Sequence, residues 1–68
     1  MSPETEALRN LIRIFLEMRA RSEESREHCE RTDNQLGLAY FEGKSDTLET
    51  CILHVRQTLQ TYPQPQQP

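Results

Sequence analysis

The chain has 68 residues, a formal net charge of -3 and 28% charged residues, enough for one domain but not for a large self-sufficient core. Leu, Ile, Val and Phe make up only about a fifth of the residues, near the level at which chains stop folding, so these side chains must be placed efficiently or shared between chains. The acidic balance argues against a general nucleic-acid binder, whose affinity rests on phosphate neutralisation, and no run approaches the ~18 apolar residues of a membrane span.

Glu4, Glu6, Arg9, Arg13 and Glu17 interrupt the first residues in a way that no secretory signal tolerates. With only Cys29 and Cys51 as thiols, the expectation is a cytoplasmic protein with reduced cysteines.

Ser2-Pro3-Glu4 opens the first expected helix, about residues 3–31. Ser is a good N-cap, Pro suits the first helical position, and Glu complements the positive end of the helix dipole. Leu8, Leu11, Phe15, Met18, Ser22, Ser25 and Cys29 recur at alternating steps of three and four, the spacing of a packed helix. Ile12, Ile14 and Leu16 widen the apolar surface of its first half. The second half is charged outside and small inside, with Glu27–Arg31 and Glu23–Arg26 spaced as helical ion pairs.

Thr32-Asp33-Asn34 is the expected turn, all three being good caps or turn formers. A second helix, about 34–61, carries Leu48, Cys51/Ile52, Val55, Leu59 and Tyr62, extended toward the turn by Leu36, Ala39 and Tyr40. Pro63 disfavours helix in Tyr62 and ends the hairpin domain, 1–62. The tail 63–68, rich in Pro and Gln, is expected to be extended and disordered. Two alternatives remain open: a break at 43–46 with Asp46 and Glu49 as a capping pair, and one unbroken helix across residue 33.

The expected fold is all-α, a two-helix antiparallel hairpin. With the turn at residue 33, facing positions have numbers summing to about 66, so the apolar segment 8–18 lies opposite 48–58. Phe15 then packs near Cys51 and Ile52, Leu8 near Leu59, and Ser22, Ser25 and Cys29 face Gly43, Ala39 and Leu36. Leu36, Leu38, Ala39, Tyr40 and Phe41 are left beside the polar half of the first helix, and Ile14, Leu16 and Leu53 add surplus at the other end. A second, reversed copy covers that surplus, which leads to a homodimeric antiparallel four-helix bundle. The expected interaction residues are Leu36, Tyr40, Phe41, Ile14, Leu16 and Leu53.

Catalytic, metal and cofactor motifs are weak. Gly37 to Ser45 has five residues between its glycines where a phosphate loop has four, and bulky aromatics where the backbone must be open. His28-Cys29 and Cys51-x-x-His54 offer four metal ligands, but the hairpin holds the two pairs about 20 Å apart along its axis. Glu23, Glu24, Glu27, Glu30 and Asp33 lie in a solvated charged segment, with no pocket to shift their pKa or hold a substrate. No enzyme activity and no cofactor are expected. Pro65-x-x-Pro68 has the PxxP spacing without a basic neighbour.

Seven of the eight basic residues are Arg, including Arg9, Arg13, Arg19, Arg21 and Arg26. A dimer of two-helix hairpins is similar in architecture to the plasmid RNA-binding Rop proteins, without a shared motif, and that resemblance implies a nucleic-acid-binding regulator as the alternative function. Those arginines do not fall on one helix face, and Glu6 and Glu17 flank Arg9 and Arg13. The leading expectation is therefore a small non-catalytic helical-bundle protein working through self-association and protein–protein interaction, as an adaptor, modulator or subunit. Tyr40 and Phe41 serve as a docking site for another protein if the homodimer leaves them uncovered.

Overall fold

The computed structural model describes residues 2–61. They form two helices, α1 (Pro3–Arg31) and α2 (Gln35–Thr61), and among the described residues there is no strand. The expected stop at Tyr62-Pro63 and the tail 63–68 lie outside the described residues.

The start of α1 follows from its first residues. Ser2 is extended, and its hydroxyl accepts from the Thr5 backbone N–H at 3.2 Å. Pro3 occupies the first turn, where a missing N–H costs nothing. The Ser2 and Thr5 hydroxyls lie 2.9 Å apart, and Thr5 is buried.

The turn needs neither Gly nor Pro. Thr32 caps α1, and Asp33 takes a positive φ of 56°, a left-handed conformation that Asp tolerates better than most residues. This lets the Asn34 N–H donate to the Cys29 carbonyl at 2.8 Å and the Asp33 N–H to the Glu30 carbonyl at 3.3 Å. Those two bonds are the Schellman pattern, which satisfies carbonyls that the helix end would otherwise strand. Asn34 then caps α2 at once, its Oδ1 accepting from the Gly37 N–H at 2.9 Å. One residue thus closes one helix and opens the next, and the chain reverses within Thr32–Asn34. α2 runs unbroken through Gly43–Asp46.

The helices pack antiparallel along a seam that pairs Gly37 with Cys29, Ser45 with Ser22, and Glu49 with Arg19. These pairs lie within about two residues of the register read from the turn position. Ser22 Oγ donates to the Phe41 carbonyl at 3.2 Å, so its one proton is committed and Ser45 Oγ donates to it at 3.0 Å. No buried side-chain polar atom among the described residues lacks a partner.

The inner face of α2 differs from the expected one. Leu36, Ala39 and Tyr40 were expected to continue the packed stripe; all three are exposed. The residues turned toward α1 are Leu38, Phe41, Ser45, Leu48, Ile52, Val55 and Leu59, all buried or half-buried, at steps of three and four. Gly43, expected opposite Ser22, instead faces open space, with nothing within 4 Å of where a Cβ would stand. Gly37 is the glycine at the seam: a Cβ there would come within 2.6 Å of Cys29 Sγ. On α1, Leu8, Phe15, Ser22 and Cys29 turn inward as expected, while Leu11 is exposed and its neighbour Ile12 half-buried.

The apolar core is small. Cys29, Leu48 and Ile52 are the buried hydrophobic residues among those described, and no large side chain is completely enclosed. Burying a Leu or Ile contributes about 1.5–3 kcal/mol, so two such residues give little against the entropy of ordering two long helices.

Candidate interaction surfaces

The seam divides the outside of the hairpin into two unlike sides. On one side Glu23 and Arg26 of α1 line a shallow groove with Glu42, Ser45 and Asp46 of α2. Charges there are already engaged. Arg26 meets Glu23 at 2.9 Å and Glu30 at 3.3 Å, and Arg19 bridges the helices to Glu49 at 3.6 Å. The hydrogen bond from Arg26 holds the Glu23 carboxyl below its ordinary pKa, and the same contact raises that of Arg26.

On the other side Met18, Arg21 and Ser25 share a groove with Phe41 and Lys44. A second, more apolar groove lies along α2 between Ala39, Tyr40, Gly43, Lys44, Thr47 and Leu48. No carboxylate lines either of these grooves. The Lys44 amine stands 5.9 Å from the Tyr40 ring centroid, and the Tyr40 ring meets Phe41 edge-on at 4.9 Å, so the aliphatic stem of Lys44 adds to the apolar surface.

The six expected interaction residues do not form one patch. Leu36 is 87% exposed and Tyr40 62%. Leu36 lies one heptad before Gly43, which aligns it with the apolar groove beside Tyr40. Ile14 is exposed and one turn before Met18, on that same side. Leu53, 54% exposed, lies one heptad after Asp46, and half-buried Leu16 one heptad before Glu23; both belong to the ion-paired side. Phe41, expected to be exposed, is half-buried, because its position one turn before Ser45 turns it toward α1. Sequence reasoning missed Ser45 and Gly37. The step of four from Phe41 to Ser45 and of three on to Leu48 carried the signal for Ser45.

Of the five arginines considered as nucleic-acid contacts, three are held by carboxylates: Arg13 by Glu17 at 3.0 Å, Arg19 by Glu49, and Arg26 by Glu23 and Glu30. Cys29 is a buried free thiol and Cys51 a half-buried one, and among the described residues no three His, Cys, Asp or Glu side chains cluster in a metal-binding arrangement. No helix among the described residues is long and apolar enough to cross a membrane.

Fold and surface together define an all-α helical hairpin with one groove lined by ion-paired charges and two grooves that no carboxylate lines. No protein-family model, curated protein or solved structure matches the chain.

Proposed function

We propose that the protein is non-catalytic and works by association: the hairpin pairs with a second copy, and the pair serves other proteins as an adaptor, modulator or subunit. One observation carries this reading. Among the described residues, the large apolar ones left exposed, Leu11, Ile14, Leu36, Tyr40 and Leu53, outnumber the buried apolar ones, Cys29, Leu48 and Ile52. A small domain whose exposed large apolar residues outnumber its buried ones gains by covering them with another chain. The arginines support the nucleic-acid alternative less, since three of the five candidates already hold carboxylates.

Coupled folding and association make thermal stability depend on concentration. Melting followed by far-ultraviolet circular dichroism from about 2 to 200 µM should therefore show a midpoint that rises with concentration. A midpoint independent of concentration contradicts the reading.

A further inference from the structure

We propose that the cleft between Arg21 of α1 and Lys44 of α2 receives an acidic amphipathic helix of another protein, one carboxylate of which sits between the two cations. This inference rests on the reading that the protein works by binding other proteins, and it names the chemistry of the partner.

The seam sets the two cations side by side. Ser22 and Ser45 bond across it at 3.0 Å, and Arg21 and Lys44 each stand one residue before those serines. In an antiparallel pair that places them within about 3 Å of the same height along the axis. Both border one cleft, with half-buried Met18, Ser25 and Phe41 as its walls and buried Ser22 beneath. Helices in contact have axes about 8–10 Å apart, so both long side chains reach a carboxylate set over the seam between them.

Charge is out of balance at this cleft. The chain has 11 acidic residues against 8 Lys and Arg, and Arg13, Arg19 and Arg26 each hold a carboxylate. Among the described residues neither Arg21 nor Lys44 forms an ion pair, and no carboxylate lines their cleft. Two cations that share a cleft repel each other, and an anion placed between them replaces that repulsion with two attractions. The Met18 and Phe41 side chains keep water from one flank, which strengthens both attractions. The Ser25 hydroxyl adds a hydrogen-bond donor.

Size and surroundings select the occupant. The cleft volume of about 100 Å³ holds the head of one acidic side chain and falls below the ~300 Å³ at which small-ligand pockets begin. A nucleic-acid backbone gains affinity from many neutralised phosphates, whereas this cleft offers two cations. Apolar surface continues on either side of it. Ile14 is exposed one turn before Met18, and exposed Tyr40 meets Phe41 edge-on at 4.9 Å. Paired cations between apolar side chains on a helix–helix seam complement a helix with an acidic residue among its apolar ones, laid over the seam as the third helix of a bundle. A second copy does not fit this place, because two-fold pairing about the cleft would set Arg21 and Lys44 against their own counterparts.

Fluorescence anisotropy with labelled synthetic helices tests the proposal. The probe is a peptide of about 18 residues, five turns of helix, with Leu at heptad spacing, Glu one turn from each Leu, and Ala and Gln elsewhere. Wild type should bind it, and should bind the version with Gln in place of Glu roughly two- to thirtyfold more weakly, the range for two ion pairs. Arg21→Glu/Lys44→Glu should lose the Glu peptide and bind a version with Lys in place of Glu. Arg21→Gln/Lys44→Gln, which adds no charge, should lose the preference for Glu over Gln. Arg9→Glu/Arg56→Glu makes the same change in net charge outside the cleft and should keep the Glu peptide, with circular dichroism melting to show that each variant is folded. No binding of the Glu peptide by wild type, equal binding of the Glu and Gln peptides, or an equal loss in Arg9→Glu/Arg56→Glu would overturn the proposal. So would tighter binding of a labelled RNA of about 20 nucleotides that the cleft variants lose, which would give the cleft to nucleic acid. Sedimentation of the wild-type chain separates this inference from self-association: a dimer that ignores the Glu peptide overturns the partner chemistry alone, and a monomer that binds it overturns self-association alone.

Discussion

Replacing Gly37 by Ala is the most direct probe of how closely the helices approach. In an open helical position this change gains up to about 1 kcal/mol from helix propensity. At Gly37 the added methyl would stand 2.6 Å from Cys29 Sγ and 2.8 Å from Asn34 Nδ2. The Asn34 amide nitrogen sits at the end of a side chain whose Oδ1 holds the capping bond to the Gly37 N–H, so swinging it aside weakens the start of α2. Cys29 is 5% exposed, and its sulfur has little room to turn. Overpacking of this kind costs about 1–3 kcal/mol, so the net expectation is a loss of about 1 kcal/mol. For a chain of this size that lowers the melting midpoint by about 4–8 °C. Thermal and urea unfolding by circular dichroism, at one fixed protein concentration, measure it. The same substitution in a Cys29→Ala background should cost less, because the sulfur it strikes is gone while the contact with Asn34 remains. If Gly37→Ala is at least as stable as wild type with Cys29 present, the helices do not meet at this register.

Asp33 pays the penalty of a left-handed conformation, so Asp33→Gly should stabilise by about 0.5–1 kcal/mol, and a loss in urea unfolding would speak against the Schellman turn. Asn34→Ala removes the cap of α2 and should cost about 1 kcal/mol, measured the same way; no loss would mean that another group satisfies the Gly37 N–H. Ser22→Ala should cost about 1 kcal/mol, because Ser45 loses its acceptor, whereas Ser22→Ala/Ser45→Ala should lie closer to wild type; additive losses would refute a paired seam. The pKa of Glu23 is lowered in the fold, so its contribution to stability is present above the ordinary carboxylate range and lost as the pH falls through its folded value. An acid titration of unfolding should show a small loss there that Glu23→Gln lacks, and an identical profile for both proteins would remove Glu23 as its source.

The two helices were legible because their signals are local and agree with one another. Ser2-Pro3-Glu4 marks a start, the absence of Gly and Pro up to Gly37 allows a long α1, and Thr32-Asp33-Asn34 holds a run of capping residues. The register followed from placing the turn at residue 33. The inner face of α2 was not legible, because its first half offers apolar residues on every side: Leu36, Leu38, Ala39, Tyr40 and Phe41 occur within six positions. What selects Leu38 and Phe41 is the small-residue seam, where Gly37 lies against Cys29 and Ser45 against Ser22. A hydrophobicity pattern gives Ser45 no weight, although its burial sets the rotation of the whole helix. The same rotation separates Leu53 from Leu36 and Tyr40, so that residues which looked like one surplus fall on two sides.

Sedimentation equilibrium on the wild-type chain at tens of micromolar, under reducing conditions, tests the central claim most directly. Association predicts a mass of twice the 8.0 kDa chain, falling toward one chain on dilution. A single species of one chain at every concentration would contradict it.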